Sequence, residues 1–458
     1  MKLLNKIKDV FASNNADNAV DISVNKIKEF NRKFNAPFGK PYANGNENTI
    51  LSKHCFLSTD TAKTKINNNV FVLGGSESDW LESIVHPNLF QMNGSYIIVD
   101  PDGKLKETSR EYFEKHGYIV NVFDPDNPDG SSNYNPLTYL KNERDVLSMA
   151  TILSHSISLE EDGKNDLFLQ EYTLLKAVTF YLSYYHENDS EMVKNLFEIF
   201  ENAEMDMATA ISLLDKVLGH SGDMACQKYY SDFKKAPSEI VCETVNAVAQ
   251  KLAAFSIELK KCFFLDDEIH LNKLADIPTV TYIITKSNDI SCNVAASLMI
   301  NQAYDAMVEN IGNKEEDSHF AHKMRFILPG EYILTIPDFQ MKIIAARKYG
   351  LSFMMYIQSF TNIMKSNEKI HLYEDMMPWL SSFDTLVFLG GKDSISIEYV
   401  DKKVNAKSLD EHNNFSHQAC PLLPKDSIRN MSDGYCLVLI RGNRPFYDQK
   451  YDSAISND

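Results

Sequence analysis

The 458-residue sequence contains no apolar run approaching the roughly 18 to 20 residues that a membrane-crossing helix needs. Its most apolar stretches, such as Leu351 to Ile357, are of strand length, so no bilayer span is expected. Cysteine is sparse. The seven residues Cys55, Cys226, Cys242, Cys262, Cys292, Cys420 and Cys436 are scattered, odd in number and without a CxxC pair, which argues against a disulfide framework. Met1 leads into Lys2, Lys6 and Lys8 without an apolar signal core, and the expectation is a reduced, cytoplasmic protein. No internal repeat is found, which leaves solenoids and propellers aside. Basic charge is in deficit: 46 Lys and Arg against 63 Asp and Glu give 46 − 63 = −17. Such a body repels nucleic acid and anionic lipid at long range, so single-stranded DNA is a disfavoured partner. Only the first 40 residues run the other way, with eight basic residues against four acids, and this weak patch reads as a solvated tail or short helix.

What is present is ordinary globular material, 44% hydrophobic and 24% charged, in a length about three times a typical 150-residue domain. Residues 1–49 lack a sustained apolar period and read as an N-terminal arm with one or two marginal helices. Val70 to Leu73, Ser95 to Val99 and Tyr118 to Phe123 read as strands, with a polar helix from Leu105 to His116 between the last two. Uninterrupted apolar strands alternating with helices predict a doubly wound α/β domain with a mostly parallel sheet and helices on both faces. From about 159 to 264 the apolar period becomes helical, as in Leu174, Val178, Tyr181 and Tyr185, which predicts an inserted all-α domain. Strand patterns then resume at Thr279–Thr285, Met324–Leu328, Ser352–Ile357, Thr385–Leu389 and Tyr435–Ile440. The division expected is therefore 1–49 arm, 50–158 with 265–458 as the α/β domain, and 159–264 as the insert. Within the insert, Glu187 to Asp206 carries seven acids against Lys194 alone, read first as a solvated helix face and otherwise as a dock for a basic partner.

A phosphate-binding loop needs glycines that let backbone N–H groups close around the phosphates, a Lys for the β and γ oxygens, and a Ser or Thr hydroxyl for magnesium. The strand Val70–Leu73 followed by Gly74-Gly75-Ser76-Glu77-Ser78-Asp79-Trp80-Leu81 is the place for one. Glu77 and Asp79 stand where glycines belong, Trp80 where the Lys belongs and Leu81 where the hydroxyl belongs. Exchanging two glycines and a lysine for two acids and a tryptophan changes the formal charge by −3. At about 1 kcal/mol per unit charge even in water's dielectric, this removes at least roughly 3 kcal/mol, more than a hundredfold in affinity. The two carboxylates can also satisfy the helix N-terminus as internal anions. A second strand of an ATPase site ends in Asp-Glu to order magnesium and activate water. Here Arg325-Phe326-Ile327-Leu328 ends in Pro329-Gly330-Glu331, which keeps one carboxylate, Glu331.

These residues, with others in order along about 50–452, resemble the TraG/TraD-type coupling proteins of type IV secretion and conjugation. The stretch His86-Pro87-Asn88-Leu89-Phe90-Gln91 with Gly94-Ser95-Tyr96 and Asp100-Pro101-Asp102-Gly103-Lys104-Leu105 is similar to the family's "KPNLMQ … SYVVTDPKGEL". Tyr134-Asn135-Pro136-Leu137 matches its "YNPF" turn, Ile336-Pro337-Asp338-Phe339 its "IPDF" and Arg347-Lys348-Tyr349-Gly350-Leu351-Ser352 its "RSRGIS". Ile357-Gln358-Ser359, Phe388-Leu389-Gly390-Gly391 and Ile440-Arg441-Gly442 match its later strand ends. The resemblance implies a RecA-like P-loop NTPase fold with an inserted all-α domain, hexameric rings with nucleotide between subunits, and delivery of DNA and relaxase to a secretion channel. It makes Gln358 the sensor glutamine and brings Arg347 to a neighbouring subunit's nucleotide, as vestigial candidates beside Glu331. Family members carry GSGSGK followed by Thr or Ser, then Asp-Glu after the second strand, and both departures here fall on the ATP site. The expectation is a pseudo-ATPase with no cofactor, acting as an adaptor or scaffold, or an inactive relic. ATP and magnesium belong to the alternative, a DNA-translocating ATPase with an unorthodox site. Partners expected are conjugation and secretion proteins, a relaxase or an intact coupling-protein paralogue, through which the chain would meet the inner face of the membrane. His412, His417 and Cys420, and the pair His319 and His322, lack a second half with zinc spacing, so no metal is expected.

Overall fold

The computed structural model describes residues 16–33, 47–125, 127, 130–156, 165–186, 189–253, 265–286, 290–312, 320–330, 336–366, 376–405 and 423–452. Eleven strands are described: β1 (Asn48–Ile50), β2 (Phe56–Ser58), β3 (Val70–Leu73), β4 (Ser95–Pro101), β5 (Ile119–Phe123), β6 (Thr279–Thr285), β7 (Met324–Pro329), β8 (Leu351–Ile357), β9 (Thr385–Phe388), β10 (Tyr435–Ile440) and β11 (Phe446–Gln449). Among the described residues, nine form one sheet in the order β11-β10-β9-β3-β8-β7-β4-β6-β5, and β1 and β2 form a separate hairpin. The seven strands from β9 to β5 run parallel, while β10 and β11 are antiparallel at one edge. This is the α/β, RecA-like arrangement expected, with β3 in the interior between β9 and β8.

Alternation along the strands divides the apolar residues between the two faces. Phe71, Leu73, Ile97, Phe326, Leu328, Phe353 and Met355 join one core with the helices Glu143–Ser156 and Ile290–Gly312. Val70, Val72, Ile98, Val280, Ile327, Met354 and Val387 join another beneath Lys104–Lys115. Burial on both faces is why these strands read as continuous apolar runs. Between β5 and β6 the helices Asn165–Tyr185, Ser190–Glu201, Met207–Val217, Met224–Phe233 and Ser238–Ala253 make an all-α unit. It is tied internally by Lys251, whose Nζ lies 2.5 Å from Glu171 Oε2 and 3.1 Å from the Ser154 carbonyl, all buried. Within the acidic run, Glu191, Glu198, Glu201, Glu204 and Asp206 are solvent-exposed, as a hydrated face requires.

The arm holds a helix, Ala16–Lys33, that is docked against the sheet edge. Ile27 and Phe30 are buried, Phe30 lies 5.4 Å from the Phe446 ring of β11, and Asn31 donates to the His54 carbonyl at 2.9 Å. Among the described residues no helix is long and apolar enough to cross a membrane, and no group of metal-ligating side chains assembles. His319, His412, His417 and Cys420 lie outside the described residues.

Candidate functional site

In a parallel sheet, loops leaving the carboxyl ends of the central strands converge on one crevice. Here the ends of β3, β8 and β9 meet. Gly74 and Gly75 follow β3 with φ of +81° and +75°, a left-handed pair that L side chains resist. A Cβ on Gly74 would lie 2.0 Å from the Gly390 carbonyl oxygen, so the turn is glycine for space as well as for dihedral. Gly74 N–H donates to the Ile357 carbonyl at 2.9 Å and Gly75 N–H to the Gly390 carbonyl at 2.7 Å.

The helix begins immediately after, at Glu77, with Ser76 as its N-cap. Ser76 Oγ accepts from the Asp79 N–H at 3.1 Å, while the Ser76 N–H and Oγ–H donate to Asp79 Oδ2 at 2.8 and 2.7 Å. This is a capping box, which satisfies the orphan donors of a first turn internally. Trp80 N–H closes onto the Ser76 carbonyl at 3.1 Å. Five of the seven N–H groups from Gly74 to Trp80 thus have protein acceptors. The other oxygen of Asp79 pairs with Lys450 Nζ at 2.6 Å, and the lysine side chain is only 9% exposed. Burial pushes the Asp79 carboxyl upward, but the hydrogen bonds from Lys450 and Ser76 outweigh it and hold the pKa below the usual carboxylate value. Glu77 pairs in the open with Lys104 at 3.0 Å. Both carboxylates that replaced glycines therefore have this chain's own lysines as counterions.

Trp80 does not point into the crevice. It is 4% exposed and stacks on Tyr356 with 5.1 Å between ring centroids and 7° between planes, while Tyr356 Oη donates to the Gly75 carbonyl at 3.2 Å. Leu81 packs against the same core. The helix continues through a π-helical turn, Leu81–Val85, into His86–Leu89. The residues present do not fit MgATP: the lysine and hydroxyl are replaced by core side chains, and the helix N-terminus holds an internal carboxylate.

Beside the glycine turn a cavity of about 390 Å³ is lined by Gly74, Gly75, Gln358, Gly391, Lys392 and Asp393 among others. Gln358 is exposed there, and Asp393 caps the next helix through Ser396 N–H at 3.1 Å. Glu331 lies outside the described residues, immediately after Gly330 at the end of β7. Arg347 is at the opposite end of the sheet, before β8, where its guanidinium donates to the Thr61 carbonyl at 2.7 Å. Seven strand residues at roughly 3.3 Å each separate it from Gln358, so within one chain the two share no site. Lys450, Lys392 and Tyr356 are not marked as site residues by the sequence; Lys450-Tyr451-Asp452 only resembles the family's closing strands, and Lys392 has the signal of its place directly after Gly390-Gly391.

The model of the type IV secretory system conjugative DNA transfer family matches residues 25–375, well over half of the chain. The chain belongs to that family. A second model, the TraM recognition site of TraD and TraG, matches residues 331–433. Among curated proteins, VirD4 of Agrobacterium fabrum (strain C58 / ATCC 33970) is 21% identical over 393 residues, 79% of this chain. The chain spans 55% of that relative's length. Among solved structures, the bacterial conjugative coupling protein TrwBdeltaN70 superposes with a TM-score of 0.60 at 13% identity, covering 94% of this chain and 93% of the other. The plasmid coupling protein TrwB in complex with ADP and Mg2+ superposes with a TM-score of 0.57 at 15% identity, covering 84% of this chain and 85% of the other. This member of the coupling-protein family thus has the family fold, with a closed, self-paired turn after β3.

Proposed function

We propose that this coupling-protein homologue is a pseudo-ATPase, an adaptor or scaffold beside conjugation and secretion proteins that neither binds nor hydrolyses ATP. The observation that carries the reading is Asp79: its carboxylate takes the N–H of Ser76 and the ammonium of Lys450, two groups that a phosphate would otherwise need. A relative was solved with ADP and Mg2+, whereas here Trp80 and Leu81 stand where a phosphate loop carries its lysine and hydroxyl. In this reading residues 1–49 form an arm, 50–158 with 265–458 the RecA-like domain and 159–264 the insert. The exposed acids of that insert offer a surface to a basic partner such as a relaxase, and an intact coupling-protein paralogue could share a ring with the chain. The test is calorimetric titration of MgATP and MgADP into the whole chain. No heat at millimolar nucleotide is expected; micromolar binding, or hydrolysis abolished by Glu331→Gln, overturns the proposal.

One observation favours a second reading, a translocase with an unorthodox site. Lys392 and Gln358 line the 390 Å³ cavity beside Gly74, so a cation and an amide stand near the glycine turn from other strands. ATP hydrolysis stimulated by single-stranded DNA and lost in Lys392→Ala would establish it; a flat response to DNA would remove it.

A further inference from the structure

A second cavity, of about 410 Å³, opens at the amino ends of β4, β7 and β8, away from the glycine turn, and is lined by Tyr96, Lys323, Arg325, Arg347, Lys348 and Ser352 among others. Arg325 lies on β7, where its neighbours Met324 and Phe326 enter the core on the opposite face, and it is 6% exposed. Its Nε donates to Ser352 Oγ at 3.3 Å and one terminal nitrogen donates to Thr49 Oγ1 at 2.8 Å. Both acceptors are neutral hydroxyls, and among the described residues no carboxylate lies within ion-pair distance of it. A guanidinium has five donors and keeps its charge in any protein environment. Buried without an anion it opposes folding, because desolvation of the charge goes uncompensated.

The rim adds more positive charge. Arg347 is held by the Thr61 carbonyl, Lys348 is exposed beside the Tyr349 ring, and Lys323 reaches Glu47 at 2.6 Å. Among the lining residues four cations, Lys323, Arg325, Arg347 and Lys348, face two acids, Glu47 and Asp60, so the balance is 4 − 2 = +2. The chain as a whole carries −17.

We propose that this cavity binds a phosphate-bearing small molecule, with Arg325 holding the phosphate from the floor and Arg347 and Lys348 from the rim. A phosphate monoester carries close to two negative charges at neutral pH and matches the local excess, whereas a monocarboxylate would neutralise half of it. Guanidinium forks suit phosphate oxygens better than ammonium groups do. The volume lies within the range of small-molecule pockets, leaving room for an organic part against Tyr349 and Phe320.

The test uses the whole chain with ribose 5-phosphate, inorganic phosphate and acetate as probes, followed by calorimetry and phosphorus NMR. Ribose 5-phosphate is expected to bind and acetate is not. Losing charge-assisted contacts in the rim variant Arg347→Gln/Lys348→Gln should weaken binding by about 10-fold or more, and Arg325→Gln by about 100-fold. If Arg325→Gln does not fold, the rim variant, altered only at partly or fully exposed positions, still decides the matter. Asp79→Asn, at the other end of the sheet, should leave binding unchanged, which separates this site from the glycine turn. No binding at 10 mM probe, equal binding by the rim variant, or acetate binding as tightly as phosphate each overturns the proposal. Inorganic phosphate binding as tightly as ribose 5-phosphate overturns the organic part of it.

Discussion

The Asp79–Lys450 pair can be separated from the rest of the closed turn by substitution. Asp79→Asn keeps a side-chain oxygen to accept from Ser76 and removes only the charge, leaving Lys450, 9% exposed, beside a neutral amide. Lys450→Met removes the cation while the carboxylate keeps its two Ser76 hydrogen bonds. Exposed ion pairs contribute about 0 to 1 kcal/mol and breaking fully buried ones costs about 3 to 5. A pair with one buried and one half-buried partner belongs between, so a coupling energy of about 1 to 2 kcal/mol is expected from the double-mutant cycle. The assay is urea unfolding of the four proteins followed by Trp80 fluorescence, since the ring stacks on Tyr356 directly beside the turn. The sign with pH follows from the depressed Asp79 pKa. The pair's contribution is fully present above the unfolded-state carboxylate value of about 3.9 and is lost as pH falls through the lower folded value. Wild type and Asp79→Asn should therefore differ at pH 7 and converge in acid. A coupling below about 0.5 kcal/mol, the scatter of additive sites, would refute the claim that Lys450 fastens the turn.

Other predictions test the surrounding structure. Trp80→Ala should cost about 3 to 5 kcal/mol in denaturant unfolding, because a fully packed indole is removed; a loss under 1 would contradict its place in the core. Glu171→Gln strands the buried Lys251 ammonium and should destabilise the all-α unit by about 3 to 5 kcal/mol, read as faster hydrogen exchange in Asn165–Tyr185. Burial pushes Asp100 up to about 6 although the Leu105 and Lys106 N–H groups donate to it. With the folded value raised, the stabilisation is fully present below about pH 4 and roughly 3 kcal/mol of it is lost as pH rises through about 6, a loss that Asp100→Asn should not show. Gly74→Ala should prevent stable folding of the turn, since the new methyl meets the Gly390 carbonyl, and a variant unfolding at the wild-type midpoint would argue against that geometry.

The parallel sheet was legible because its strands are buried on both faces and each reads as an unbroken apolar run, Val70–Leu73 and Leu351–Ile357 most plainly. That Glu77, Asp79, Trp80 and Leu81 include neither a lysine nor a hydroxyl was plain in the sequence itself. What filled the loop was not. Lys450 is 371 residues from Asp79, and no local pattern marks their meeting. Arg325 hid inside an ordinary strand, because one charge in Met324–Pro329 looks like an edge residue until both neighbours of the strand are known. The resemblance assigns Arg347 to a neighbouring subunit's nucleotide; within its own chain it lies at the far end of β8 from Gln358, a separation that no local pattern shows. The arm reads as marginal helix, and nothing local shows that Ile27 and Phe30 join the core beside Phe446 of β11.

The position of β3 also sets a schedule for making the protein. It leaves the ribosome among the first strands, yet both of its partners, β8 and β9, are encoded about three hundred residues later, and the lysine that fastens its turn later still. At roughly 5 to 20 residues per second, the interval from Asp79 to Lys450 lasts roughly 20 to 75 s. Until β8 is made, four consecutive apolar residues, Val70 to Leu73, have no neighbouring strand to pair with. Nascent chains of this fold expose that strand until β8 is made, and a pause placed before β8 would lengthen the period in which they can associate with one another.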